Sequence, residues 1–224
     1  MELYSIEMTV VKSPPGSLRA ERAAVTRRRI TDAARVLFAN RGYGATTLRE
    51  IALAAGVAVQ TVYAVYGSKA SILRALRESL VNEPGADAAF RDAIAAPGPA
   101  EALALFARSI RLRWESGHDI VVIHREAASA DPSIRDEVDR VLARRRGGIA
   151  ELTGSLARND GSSIDPEVAA PVIDALTMPE VYGELVGVHG WSPDAYEAWL
   201  ANALVRLTLE PGPAGGAAGT VRTT

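Results

Sequence analysis

Apolar residues recur at helical spacing along almost the whole of this chain. Ile30, Ala33, Ala34, Leu37 and Phe38 fall at i, i+3, i+4, i+7 and i+8, one face of a helix, and Gly42 supplies its stop. Thr47-Leu48-Arg49-Glu50 reads as a capping box, in which the threonine hydroxyl takes one free amide and the glutamate reaches back to another. The short helix it opens turns Leu48, Ile51, Ala52 and Ala55 inward and ends at Gly56. A second short segment, Val57–Tyr66, follows directly, and Ser68 caps a helix carrying Ile72, Leu73, Leu76 and Leu80. Further on, Leu103, Phe106, Ala107, Ile110 and Trp114 share a face. Three helix starts pair a cap residue with proline at the first helical position: Asp131-Pro132, Asp165-Pro166 and Ser192-Pro193. The pattern predicts a break near Met178-Pro179 inside the segment 165–188. No strand of period two and no internal repeat is found. The prediction is an all-α fold of roughly nine or ten helices.

Punctuation divides the chain. Residues 1–20, with Ser13-Pro14-Pro15-Gly16 and no helical period, predict a flexible arm. Residues 21–81 form a first unit. Asn82–Ala86 and Pro97-Gly98-Pro99 mark its end, and 82–210 form a second helical unit. Residues 211–224, rich in Gly, Ala, Pro and Thr, predict a disordered tail.

Composition narrows the function. With 224 residues, 48% hydrophobic and 23% charged, the chain matches soluble globular proteins. It has no cysteine, which excludes disulfide scaffolds, thiolate metal sites and cysteine nucleophiles. No apolar run approaches the roughly 18 residues of a membrane helix. The start lacks the pattern of a secretory signal, so the expected location is the cytoplasm. The net charge of −2 hides an asymmetry: residues 1–80 hold 12 Lys/Arg against 6 Asp/Glu, and the remainder 13 against 21. A basic front and an acidic remainder point to an anionic partner for the front alone.

A capped short helix, a glycine turn (Ala54-Ala55-Gly56-Val57) and a second short helix have the spacing of a helix-turn-helix. Gly56 provides positive φ for the turn, and Ala52 and Ala55 allow close packing. The uncommitted face of the second helix can then enter a major groove about 12 Å wide.

The segment from Ile30 to Leu76, about a fifth of the chain, resembles the DNA-binding head of the TetR family of one-component bacterial repressors. The likeness lies in an ordered set: Ala-Ala-x-x-Leu-Phe-x-x-x-Gly, Thr-Thr, Ile-Ala-x-x-Ala-Gly-Val, Thr-Val-Tyr and Ser-Lys-x-x-Ile-Leu. The resemblance implies an N-terminal three-helix helix-turn-helix head and a C-terminal helical ligand-binding and dimerisation domain. It implies a homodimeric repressor that leaves a palindromic operator when a small-molecule effector binds.

The DNA-facing candidates are Arg28, Thr47, Arg49, Val59, Gln60, Thr61, Tyr63 and Lys69. Arg49 and Lys69 sit in first helical turns, where the helix dipole disfavours a cation, so an anionic partner explains them better than solvent does. Gln60 can pair with adenine, while Val59 and the Thr61 methyl can meet thymine methyls. By resemblance, Thr47 and Tyr63 touch phosphates and Arg49 can reach a base edge; a phosphate contact explains Lys69, and Arg27, Arg28 and Arg29 can anchor the flanking backbone. The chain departs from the family at Ala58, where serine is frequent, and at Val65, where histidine is frequent.

One head covers only a half-site, so two are needed. The stripe Tyr196, Trp199, Leu200, Ala203, Leu204 and Leu207 is the candidate dimer surface. Phe106, Ile110, Trp114 and His118 climb one face at i, i+4, i+8 and i+12 and are the candidate wall for a small hydrophobic or aromatic effector. Arg145 falls on the apolar stripe of its segment. It would need a partner such as an anionic ligand group, a helix end, or a carboxylate like Asp139 or Glu151, but Gly147-Gly148 predict a kink that turns it to water. Enzyme chemistry has little support. His118-Asp119 is the dipeptide of metal phosphohydrolases, but no histidine precedes it, and no phosphate loop or nucleophile elbow is present. No metal or cofactor is expected. The rival reading is a helical enzyme or interaction protein with a vestigial head.

Overall fold

The computed structural model describes residues 15–81, 83–158 and 164–209. Ten α-helices and no strand occur among the described residues. They are α1 (Pro15–Arg41), α2 (Leu48–Ala55), α3 (Val59–Tyr66), α4 (Lys69–Val81), α5 (Pro84–Ala95), α6 (Pro99–Ala130), α7 (Pro132–Ala157), α8 (Pro166–Leu176), α9 (Pro179–Tyr182) and α10 (Pro193–Thr208). The first helix begins at Pro15, so residues 15–20 of the expected arm are helical. The rest of that arm and the expected tail lie outside the described residues.

The punctuation read from the sequence is what closes the helix ends. Asp131 accepts from the Ser133 amide at 3.0 Å, Asp165 from that of Glu167 at 2.9 Å, and Ser192 from that of Ala195 at 3.1 Å. Each satisfies one amide that a first turn leaves unpaired. The 165–188 segment breaks where expected: α8 stops at Leu176, Pro179 opens α9, and a π-helical turn, Gly183–Val188, follows.

Two apolar cores result. The first is built from α1 to α4 around Ile30, Phe38, Ile51, Val62 and Leu73, but Ile120, Ile123 and Ala127 of α6 complete it. The head therefore packs onto α6 rather than closing on itself. The second core joins α5, the first half of α6, and α7, α8 and α10 around Leu103, Phe106, Leu152, Ile173 and Leu200. Tyr196, Leu200 and Leu204 are fully buried in it. These three are thus corrected from dimer surface to intrachain core: α10 spends that side of its stripe against α6 and α8. Trp199 and Ala203 stay half-buried and Leu207 stays exposed.

Gly117 decides the geometry of α6. Its backbone leaves the helical region (φ −163°, ψ 30°) and kinks the helix. A Cβ there would lie 2.7 Å from Leu80 Cδ1, so glycine permits the close approach of α4. By contrast α7 runs unbroken across Gly147-Gly148, and the expected kink is absent.

Candidate nucleic-acid interface

In the head, the Thr47 hydroxyl accepts from the Glu50 amide at 3.2 Å, and Glu50 Oε2 accepts from the Thr47 amide at 2.9 Å. This complete capping box holds the Glu50 carboxyl below its ordinary range. Gly56 then turns the chain at φ +63°, its amide and that of Val57 closing on Leu53 and Ala52 carbonyls. The axes of α2 and α3 differ by 110°, within the range of helix-turn-helix pairs. A Cβ on Gly56 would meet Arg29 Nη2 at 2.5 Å as well as the left-handed backbone penalty. A Gly56→Ala variant is expected to lose about 1–2 kcal/mol, read as a lower denaturant midpoint at unchanged slope. An unchanged midpoint would show that the turn has no such constraint.

Packing α3 through Val62 leaves Gln60, Tyr63 and Ala64 exposed at i, i+3 and i+4. Tyr63 is 57% exposed. Val59 and Thr61 are half-buried, Val59 against the head core, so both take the flank of this face rather than its centre. Arg49 is exposed on the outer side of α2, beside Leu53 at i+4, which is 83% exposed. The sequence reading passed over Ala64 and Leu53. Their spacing from Gln60 and Arg49 was the available signal.

The other cations divide. Arg28 is exposed, with Asp32 at 3.6 Å. Arg29 donates to the Gly56 carbonyl at 3.4 Å and so braces the turn. Lys69 is half-buried: Nζ donates to the carbonyls of Tyr43 (2.7 Å) and Gly44 (3.3 Å) and lies 4.6 Å from the Tyr43 ring centroid. Its unfavourable place in a first turn is thus compensated within the protein. An ammonium has three donors, which leaves one for an outside acceptor.

Polar ties join this head to the second unit. Arg35 donates to both Asp119 oxygens at 2.6 Å and to the Ser116 carbonyl at 3.0 Å. Glu126 accepts from the Tyr43 amide at 3.0 Å. Arg74 reaches the buried Glu137 of α7 at 2.7 Å. His118 donates instead to the Pro179 carbonyl at 2.8 Å, so the His118-Asp119 pair points to two different partners.

Beneath the head lies a cavity of about 450 Å³, lined from α4 to α7 and by Met178 and Pro179. Phe106, Ile110 and Trp114 line it. His118 does not, and is corrected: it lines a separate shallow pocket with Glu180 and Gly183. The kink at Gly117 breaks the helical phase, and His124 takes the inward place instead. His124 is 5% exposed, and neither ring nitrogen makes a well-formed hydrogen bond, the ring having only a loose approach to the Ile120 backbone. Burial first, then the nearby Arg77 charge, push its pKa down to about 4. Arg77, whose Nε is likewise buried and unpartnered, also lines the cavity. Both were legible as polar interruptions of apolar stripes, at Ile120–Ala127 and at Leu73–Leu80.

Arg145 is partly buried rather than turned to water, with 16% of its side chain exposed. Its partner is neither Asp139 nor Glu151. Nη1 pairs with the Asp174 carboxylate, while Nη2 donates to the Asp174 carbonyl (2.8 Å) and to Thr177 Oγ1 (2.6 Å) at the end of α8. Because α7 stays straight, the guanidinium is held against α8.

Residues 30–76 match the sequence profile described as bacterial regulatory proteins, tetR family. No curated protein matches the chain. Among solved structures it is similar to NalD, the secondary repressor of the MexAB-OprM multidrug efflux pump in Pseudomonas aeruginosa. That likeness has 22% identity over 85% of this chain and 98% of that one, with a TM-score of 0.64. It is also similar to the fatty acid degradation regulator FadR of Bacillus halodurans (20%, 87% and 96%, TM-score 0.63). A third likeness is to SmeT in complex with triclosan (18%, 84% and 93%, TM-score 0.63). These identities establish a shared fold, and that fold is the one the head sequence calls for. Among the described residues, no single helix is long and apolar enough to cross a membrane. Residues 30–76 thus carry the sequence of a tetR-family head, and the chain as a whole shares the fold of solved regulators of that family.

Proposed function

We propose that the protein is a homodimeric repressor that leaves a palindromic operator when a small apolar effector fills the cavity above α4. The observation that carries this reading is the exposed face of α3, Gln60, Tyr63 and Ala64, standing 110° from a capped α2 whose outer side carries Arg49. In this reading Gln60 reads a base edge, with Val59 and the Thr61 methyl at its flank. Thr47, Tyr63 and Arg28 meet phosphates, as does the donor that Lys69 has left. Arg49 reaches the neighbouring backbone or base.

Two heads separated by about one turn of DNA, ~34 Å, match a two-fold operator. The dimer surface we assign is the outward side of α8 (Val168, Pro171, Ala175) with Trp199, Ala203 and Leu207 of α10, none of them fully buried in the single chain. NalD is a repressor and SmeT is seen with triclosan, which supports repression and a small apolar effector here. The cavity wall is continuous with the head through Arg77 on α4 and through the stretch of α6 that carries both His124 and Glu126. A ligand that prefers one arrangement of these helices shifts the spacing of the heads, and only such differential binding can release DNA.

The test is fluorescence anisotropy with the duplex upstream of the protein's own gene and a shuffled control. Two chains are expected per specific site. Gln60→Ala is expected to cost about 1–3 kcal/mol at one operator position and little elsewhere. An equal loss on every sequence would move Gln60 from base reading to backbone positioning. Equal binding of both duplexes by the unaltered protein at several salt concentrations would remove this duplex as the operator.

A further inference from the structure

The cavity has a polar end that the protein leaves unsatisfied. Buried nitrogen and oxygen atoms nearly always have a partner. Here Arg77 Nε has none, and the two ring nitrogens of His124 have no well-formed one, only a loose approach to the Ile120 backbone. All three atoms are buried, on two side chains that line one cavity. Of the other cations around the cavity, Arg113 pairs with Asp87, Arg145 with Asp174 and Arg125 with Glu180, while Arg144 is exposed to solvent. Arg77 is matched poorly. Its nearest carboxylate is Glu137 at 3.8 Å, and Arg74 already holds that group at 2.7 Å. Much of the remaining wall is apolar, with Phe90, Phe106, Trp114, Leu142 and Met178, alongside the paired Asp87, Arg113, Arg125 and Arg145.

We propose that the cavity takes a hydrophobic carboxylate, its apolar body among the aromatic residues and its carboxylate held by Arg77 Nε and an imidazole N–H of His124. It presupposes that the cavity is the effector site. The chemistry selects this class. A carboxylate offers these donors two oxygens and a negative charge to offset Arg77, whereas an alcohol or ketone brings no charge and gains only neutral-acceptor hydrogen bonds. An ammonium would meet the under-neutralised Arg77. A phosphate dianion would bring more charge than one under-neutralised guanidinium and an imidazole can hold in a mostly apolar chamber. His124 and Arg77 are positioning and specificity residues in this scheme, and Arg77 lies on α4, within the head.

Calorimetric titration of the full chain tests it with decanoate, decanol and decylammonium, three probes alike in tail and different in head. Naphthoate serves as a compact aromatic carboxylate. At least one of the two carboxylates is expected to bind tenfold or more tighter than decanol, the span of a charge-assisted hydrogen bond, and decylammonium to be weakest. Decanoate ahead of naphthoate would identify an acyl chain, and the reverse an aromatic acid. Arg77→Met and His124→Leu, each checked for native helicity, are expected to abolish the preference over decanol while retaining decanol binding. If Arg77→Met fails to fold, His124→Leu carries the same comparison. Decanol binding as tightly as both carboxylates, decylammonium binding best, or no carboxylate binding would overturn the proposal. Operator anisotropy with the same probes separates the two readings: a carboxylate that binds through Arg77 yet leaves DNA affinity unchanged upholds the ligand class and removes the effector role.

Discussion

An Asp174→Leu variant is expected to lose about 3 kcal/mol of stability in chemical denaturation. The substitution leaves the Arg145 guanidinium in a mostly buried place without its carboxylate, and stripping one partner from a buried pair costs about 3–5 kcal/mol. The lower end applies because the Asp174 carbonyl and the Thr177 hydroxyl still accept from Nη2. The companion measurement is the double variant Arg145→Met with Asp174→Leu. Replacing the whole pair by apolar side chains removes the desolvation cost along with the attraction, so the double variant should be more stable than Asp174→Leu alone. A loss below about 1 kcal/mol in the single variant, within the range of exposed pairs, would mean that Arg145 escapes to water. Since Arg145 lines the cavity and clamps α7 to α8, the single variant should also loosen the cavity wall. Weaker binding of apolar probes is its second readout.

Stability should also fall with acid in a window set by His124. Its pKa is about 4 in the folded protein against 6.5 when free. The unfolded chain therefore takes up the proton first, and the contribution is fully present above about pH 7 and shrinks as pH falls toward 4. The total is roughly 3 kcal/mol, from 1.36 kcal/mol per unit, with about 2 kcal/mol lost between pH 7 and 5. His124→Leu is expected to flatten that part of the profile, because leucine has no proton to gain. An unaltered slope in the variant would assign the acid sensitivity elsewhere. A bound carboxylate, by favouring the charged ring, should reduce the same slope.

Much of this was legible without coordinates, and the legible part has a common cause. The capping box at Thr47, the positive φ at Gly56, and the caps at Asp131, Asp165 and Ser192 are interactions among residues at most a few positions apart. Short-range chemistry of this kind is written directly in local order. The head was clearest because its small residues and turn glycine leave one arrangement of two short helices, and with it the exposed Gln60 and Tyr63.

What failed locally failed for a reason of phase. The stripe Phe106, Ile110, Trp114, His118 assumes an unbroken helix, and one non-helical residue, Gly117, sends His118 to Pro179 and brings His124 inward. Gly147-Gly148, in contrast, could break α7 but do not.

By itself, then, the sequence determined the helices, most of their ends, the division into a basic head and an acidic remainder, and the family of the head. Periodicity tells which side of a helix is apolar and nothing about what lies opposite. Only the tertiary structure decided that Tyr196, Leu200 and Leu204 serve the chain's own core, and that Asp174, 29 residues away, receives Arg145. It likewise decided that the head is completed by α6 and that His124 and Arg77 line one cavity. Each of these depends on which helices meet, and that is set by the packing of the whole chain.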